Sequence, residues 1–124
     1  MITSNSYSKN ALEIVKEEGA KTISLTFRGK SNDRDPSAFL APILDEVVRQ
    51  SRSGEKEIVL DFQALEYMNS STITPIIKIL DQIKGGSERV SILYNQAVKW
   101  QHLSFTALKI FETQDERIRI VGEV

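Results

Sequence analysis

Polar and apolar residues alternate with a period of two in the first quarter of the chain and with helical spacing later, and each switch between the two marks an element boundary. Leu12, Ile14 and Lys16 open an alternating stretch that predicts an edge strand. After the turn Glu17-Glu18-Gly19-Ala20, residues 21–28 place Ile23, Leu25 and Phe27 on one face and Thr22, Ser24 and Thr26 on the other. The two segments predict an antiparallel hairpin. Residues 1–7 are polar and aperiodic and predict a loose lead-in. After a polar segment, Phe39, Leu40, Ile43, Leu44, Val47 and Val48 recur at helical spacing, with Asp35 suited to a cap and Pro36 to the first position. Pro42 inside that pattern predicts either a kink or a restart of the helix there.

The run Ile58-Val59-Leu60-Asp61-Phe62 is nearly continuous in apolar character and predicts a central strand covered on both faces. Ile73, Ile76, Ile77, Ile79, Leu80 and Ile83 define a second helix ending at Gly85-Gly86, whose first glycine suits the left-handed capping conformation. Val90, Ile92 and Leu93 predict another strand. Asn95 is placed to cap a third helix with Ala97, Trp100, Leu103, Ala107 and Leu108 on its packed side, and the last strand is residues 118–121. This order predicts an α/β fold with one mixed sheet: an N-terminal antiparallel hairpin, then alternating helices and strands paired in parallel. No repeat or linker divides residues 1–124, which read as a single domain.

Composition narrows the function classes. Sixteen basic and seventeen acidic residues leave a net charge of −1, too little to draw nucleic acid or an anionic membrane. With no cysteine and a single histidine, His102, neither a disulfide framework nor a thiolate or histidine metal cluster is available. No leader pattern or apolar run of membrane-crossing length stands out, so the expected location is cytoplasmic and no cofactor is expected.

The most informative stretch follows the predicted central strand: Asn69-Ser70-Ser71-Thr72 at the start of the second helix. Helix starts expose unpaired amides and the positive end of the helix dipole, so a phosphate added there is both held and visible to a partner. Asn, Ser and Thr also favour such positions for local capping alone. Pro75 leaves two starts open: Ser70 with Asn69 as cap, or Pro75 with Thr74 as cap, which would move the hydroxyls onto the preceding loop.

Residues 58–72, the pair Gly85-Gly86 before the Val90 strand, and Ala97-Val98-Lys99 with the later Leu108-Ile110-Phe111 resemble the STAS superfamily, and within it the bacterial anti-sigma-factor antagonists. The resemblance covers residues 10–121 in element order. It departs at two positions, since Asn69 stands where the family motif has aspartate and Thr72 where it has glycine. Asn69 keeps an acceptor but loses the charge, and Thr72 adds a side chain and a hydroxyl. The resemblance implies a non-catalytic partner-switching protein. Its unmodified form binds a serine/threonine kinase-type anti-sigma factor or related switch regulator, and a PP2C-type phosphatase resets the cycle. Carried onto this chain, it makes Ser70 the phosphorylation site, with Ser71 and Thr72 as further candidates, and residues 69–72 the partner-binding surface. The output, whether a sigma factor, a diguanylate cyclase or another target, stays open.

An alternative drawn from other STAS domains is a sensor of a small ligand or nucleotide. Ser70 as a hydrolytic nucleophile is disfavoured, because the glycine-flanked elbow is absent and His102 has no positioned carboxylate in the sequence pattern. His102 reads as a partly exposed packing residue, Trp100 as core or rim, Asp61 as a strand-end carboxylate bonded to loop amides, and Asp115-Glu116-Arg117 as a solvated turn.

Overall fold

The alternation of residues 12–28 becomes two strands, β2 (Leu12–Glu18) and β3 (Thr22–Ser31), paired antiparallel with Ile14 opposite Phe27. In the computed structural model, which describes residues 2–124, they lie within one seven-stranded mixed sheet. β2 is not its edge. Residues Thr3–Lys9 form a further strand, β1, antiparallel to β2 with Tyr7 opposite Ile14, so the expected loose lead-in is corrected to an edge strand. The first residue of that expectation lies outside the described residues. β1 is held by its backbone ladder rather than by burial, since of its side chains only Tyr7 is partly covered.

The chain continues through α1 (Pro36–Gly54), β4 (Glu57–Asp61), β5 (Leu65–Met68), α2 (Ser70–Lys84), β6 (Val90–Asn95), α3 (Lys99–Thr106), a 3-10 turn (Ala107–Phe111) and β7 (Ile118–Glu123). The sheet order is β1-β2-β3-β4-β6-β7, with β3–β4, β4–β6 and β6–β7 parallel. Short β5 takes over from β4 beside the far end of β3, with Ser31 opposite Met68 and an irregularity between Gly29 and Lys30. Gly29 has φ 84°, and a Cβ there would lie 2.0 Å from the Ala11 carbonyl oxygen, so only glycine fits.

α1 runs unbroken through Pro42, and Asp35 makes no side-chain cap bond. The proline is tolerated because Ala38, whose carbonyl loses its helical donor, and Pro42 itself both face solvent, where water takes over the bond. The central strand is covered on one face rather than two. Along β4, buried Ile58 and Leu60 alternate with half-buried Val59 and Asp61. Core residues share that parity across the sheet: Ile14, Leu25, Phe27, Leu60, Ile92 and Ile120 meet Leu40, Leu44 and Val48 of α1 and Ile76, Leu80 and Ile83 of α2. An aromatic stack continues the core beneath α3, with Phe27 4.3 Å from Phe62 and Phe62 4.8 Å from Phe105 between ring centres. Each such buried ring contributes roughly 1.5–3 kcal/mol by removal from water.

Helix ends differ from expectation in detail. α2 stops at Lys84, but Gly85 is right-handed (φ −82°), and Gly86 is the glycine with a steric role, because a Cβ there would come within 2.6 Å of Glu88 Oε1. Beside the Gly86 N–H, which donates to the Ile83 carbonyl at 3.0 Å, the Arg117 guanidinium donates to the carbonyl oxygens of Ile83 (3.0 Å) and Lys84 (3.2 Å) at the end of α2 and of Glu88 (3.1 Å) beyond it. The supposed solvated turn thus carries a structural cation. α3 begins at Lys99 and is capped by Val98, not Asn95, whose side chain accepts from Ala97 N at 2.9 Å in the turn before it. Its packed side is Gln101 and Phe105, and Leu103 is 63% exposed.

Candidate phosphorylation and docking site

α2 starts at Ser70. Asn69, extended at φ −77° and ψ 167°, accepts the Thr72 backbone N–H on Oδ1 at 3.0 Å, which settles the helix start in favour of the Asn69 cap over Thr74. Pro75 lies inside the helix and, lacking an N–H, leaves the Ser71 carbonyl without its helical donor. The first turn therefore rests more on the cap than on the backbone ladder.

The cap is anchored on both sides. Asn69 N donates to the Ser31 carbonyl at 2.9 Å, and Asn69 Nδ2 donates to the Asp33 carbonyl at 2.7 Å, tying the helix start to the end of β3. Thr72 Oγ1 donates to Asn69 Oδ1 at 2.7 Å and lies 2.7 Å from Ser31 Oγ. Asn69 Oδ1 has no hydrogen to give, so the Thr72 proton points there and Ser31 is the donor to Thr72. The result is a directed chain: Ser31 hydroxyl to Thr72 hydroxyl to the Asn69 carbonyl, and Asn69 amide to the Asp33 carbonyl. Asp33 is in turn held by Lys9 of the first hairpin, with Nζ 2.7 Å from Oδ2. The Lys9 bond, helped by the Arg34 backbone N–H, keeps the Asp33 carboxyl below its ordinary value.

The four hydroxyl-cluster residues are therefore not equivalent. Ser70 and Ser71 are exposed, Asn69 is half-buried and Thr72 is 1% exposed with its hydroxyl fully engaged. The expectation that Thr72 offers another acceptor or reshapes the partner surface is corrected: it fills the interior between α2 and β3. Asn69 also acquires a reason. An aspartate would place a second oxygen 2.7 Å from the Asp33 carbonyl, where Asn69 supplies a donor.

Ser31 and Asp33 carry no obvious motif, yet the period of β3 gave a signal: continued two residues at a time past Phe27, it places Ser31 on the core face. Gln101 was also missed. Its buried amide binds the chain just before the site, where β4 gives way to β5. Asp61 and Trp100 sit as expected, whereas His102 faces solvent rather than packing. Asp61 accepts from Gln63 N (3.0 Å) and Nε2 (3.1 Å). His102 is exposed and Trp100 half-buried, its ring centre 6.4 Å from that of Phe105.

Among the described residues no group of acidic, histidine or cysteine side chains is arranged to hold a metal, and no helix is long and apolar enough to cross a membrane. A groove of about 420 Å³ between α1 and α2 is lined by Leu44, Asp45, Pro75, Lys78 and Ile79 among others, with no aromatic ring to stack a base.

A mixed sheet with its core on one face and a hydroxyl-bearing helix start at one end is a fold similar to that of anti-sigma-factor antagonists. The solved structure of an anti-sigma factor antagonist from Mycobacterium paratuberculosis is similar, with a TM-score of 0.55 at 14% identity over 94% of this chain and 91% of that one. The model of the SiaC family regulatory phosphoproteins matches residues 15–106, and the chain belongs to that family. SiaC of Pseudomonas aeruginosa superposes with a TM-score of 0.65 at 19% identity over 98% of both chains. A chain in the crystal structure of the diguanylate cyclase SiaD in complex with its activator SiaC, from the same organism, gives 0.66 at 18% identity over 96% of this chain and 99% of that one. No curated protein matches the sequence.

Proposed function

We propose that this protein is a phosphorylation-controlled docking partner in which the hydroxyl of Ser70 is the switch. The observation that carries the reading is the sorting of the cluster: Ser70 is exposed at the first position of α2, while Thr72 is locked inside. Ser71, also exposed, is the adjacent candidate. The surface offered for docking is Ser70 and Ser71 with the outward side of α2, where Ile73, Thr74 and Ile77 follow at helical spacing. Because SiaC is the activator of a diguanylate cyclase, the target proposed for this chain is an enzyme of that class rather than a sigma-factor pathway. A serine/threonine kinase and a PP2C-type phosphatase set and reset the modification.

The mechanism needs little change of shape. A phosphate brings roughly −1.5 to −2 charges and a tightly held hydration shell, and an interface that desolvates a neutral hydroxyl rejects that group. The helix start meanwhile stabilises the phosphate in the free protein through its unpaired amides. The test is peptide mapping of phosphate after incubation with ATP and a serine/threonine kinase of the anti-sigma-factor type, in the wild type and in Ser70→Ala, Ser71→Ala and Thr72→Ala. Phosphate on Ser70 that disappears only in Ser70→Ala supports the reading. Undiminished phosphate at another residue in Ser70→Ala removes Ser70 from the role.

A further inference from the structure

Gln101 is a glutamine with none of its surface exposed, placed on the packed side of α3. Its Nε2 lies 2.9 Å from the Phe62 carbonyl oxygen, 2.9 Å from that of Leu65 and 3.3 Å from that of Gln63, while Oε1 accepts the Asn95 N–H at 2.7 Å. Two amide hydrogens thus serve the two short contacts, and the longer one is a shared third. The accepting carbonyls belong to the connection where β4 stops and β5 begins, a stretch whose backbone makes only one internal turn bond, Leu65 N to Phe62 O at 3.0 Å. Buried carbonyls in a loop need donors, and Gln101 supplies them from another element.

β5 is four residues long, pairs on β3 alone across a register irregularity, and leads straight into Asn69 and Ser70. Its height relative to β3 decides whether Asn69 reaches the Ser31 and Asp33 carbonyls.

We infer that Gln101 is a positioning residue for the phosphoacceptor: by holding the carbonyls of residues 62–65 it fixes β5, and through β5 the pose in which Ser70 is offered to modifying and docking proteins. The inference rests on the proposed role of Ser70 for its functional meaning, but its physical content is independent of it.

The experiment is amide hydrogen exchange, read by mass spectrometry on the intact chain, for wild type, Gln101→Met and Gln101→Glu. Gln101→Met removes both donors at similar length, and peptides covering residues 62–71 are expected to exchange about tenfold faster, while peptides covering residues 12–31 stay within about twofold of wild type. Gln101→Glu keeps the acceptor for Asn95 N–H but turns an oxygen toward three carbonyls, so it accelerates the same peptides at pH 8. At pH 5.5 the introduced carboxyl, pushed up by burial and by those carbonyls, regains a proton to donate, and the acceleration shrinks at least threefold, roughly. Asp61, Tyr94 and His102 lie on the surrounding elements, and wild type measured at both pH values is the reference for each variant. Acceleration spread evenly over all peptides would reduce Gln101 to general stability and overturn the inference, as would unchanged exchange at residues 62–71. Should Gln101→Met fail to fold, an acceleration over wild type in Gln101→Glu that is the same at pH 8 and pH 5.5 overturns it alone. The same measurement in a Ser70→Ala background gives the same acceleration, so a failure of Ser70 as acceptor is seen separately, in the phosphate map.

Discussion

Replacing Thr72 by valine keeps the shape of a buried side chain and removes one hydroxyl, which isolates the chain of bonds behind the helix start. In the wild type Ser31 donates to Thr72 at 2.7 Å and Thr72 to Asn69 at 2.7 Å, with Ser31 and Thr72 2% and 1% exposed. The valine leaves the Ser31 hydroxyl buried without an acceptor and takes one bond from Asn69, so the expected loss is about 1–3 kcal/mol. Ser31→Ala removes a donor but leaves Thr72 bonded to Asn69, at a cost of about 0.5–1.5 kcal/mol. In the double variant no stranded hydroxyl remains, and the combined loss falls short of the sum by about 1 kcal/mol. Urea denaturation followed by circular dichroism, at constant m-value, measures all three. For a chain of this size 1 kcal/mol corresponds to a midpoint shift of roughly 3–6 °C in thermal scans. Losses that add within about 0.5 kcal/mol, or a neutral Thr72→Val, would refute the directed hydroxyl chain.

Other substitutions probe the remaining joints. Asn69→Asp turns an oxygen toward the Asp33 carbonyl and is expected to cost about 1–2 kcal/mol at pH 7, more than the about 0.3–1 kcal/mol returned by the helix dipole; a variant as stable as wild type would contradict this. Gly29→Ala forces a Cβ into the Ala11 carbonyl at positive φ and is expected to lose about 2 kcal/mol or more, read as a lowered denaturation midpoint. Arg117→Met strips a donor from the Ile83 and Lys84 carbonyls at the end of α2 and from the Glu88 carbonyl before β6, and costs about 1.5–3 kcal/mol, with the last turn of α2 losing exchange protection first. In acid, Asp33 (bonded by Lys9) and Glu18 (bonded by Lys56) both titrate below their ordinary values when folded. Their contributions are therefore complete above about pH 4 to 4.5 and are lost as pH falls through the lower folded values. Lys9→Met should flatten that acid slope, and an unchanged slope would argue against the Asp33 tether.

Much of the architecture was legible because it follows from burial. The strands and helices that contribute Ile14, Leu25, Leu60, Ile76, Leu80 and Ile92 announce themselves by period, since those side chains must share one face. What escaped was held by backbone or polar contacts. β1 contributes almost nothing to the core and exists because its amides pair with β2, which no hydrophobic pattern encodes. β5 has one buried residue in four. Val59 made β4 look two-sided, although it is only the apolar member of an outward row. In α3 the expected Leu103 faces out while the polar Gln101 faces in, because unpaired loop carbonyls were waiting for a donor. At the site, the sequence left the helix start open between an Asn69 and a Thr74 cap, and it did not rank the hydroxyls. That rank depends on Ser31, 41 positions before Thr72, a pairing set by the register of β5 on β3.

The central claim, that a phosphate on Ser70 decides docking, is tested most directly by titrating a diguanylate cyclase of the proposed target class with this protein bearing phosphoserine incorporated at position 70 and with the unmodified chain. Binding by the unmodified chain, weakened at least tenfold, roughly, by the phosphate, is the predicted result. Equal affinity of the two forms would contradict the account.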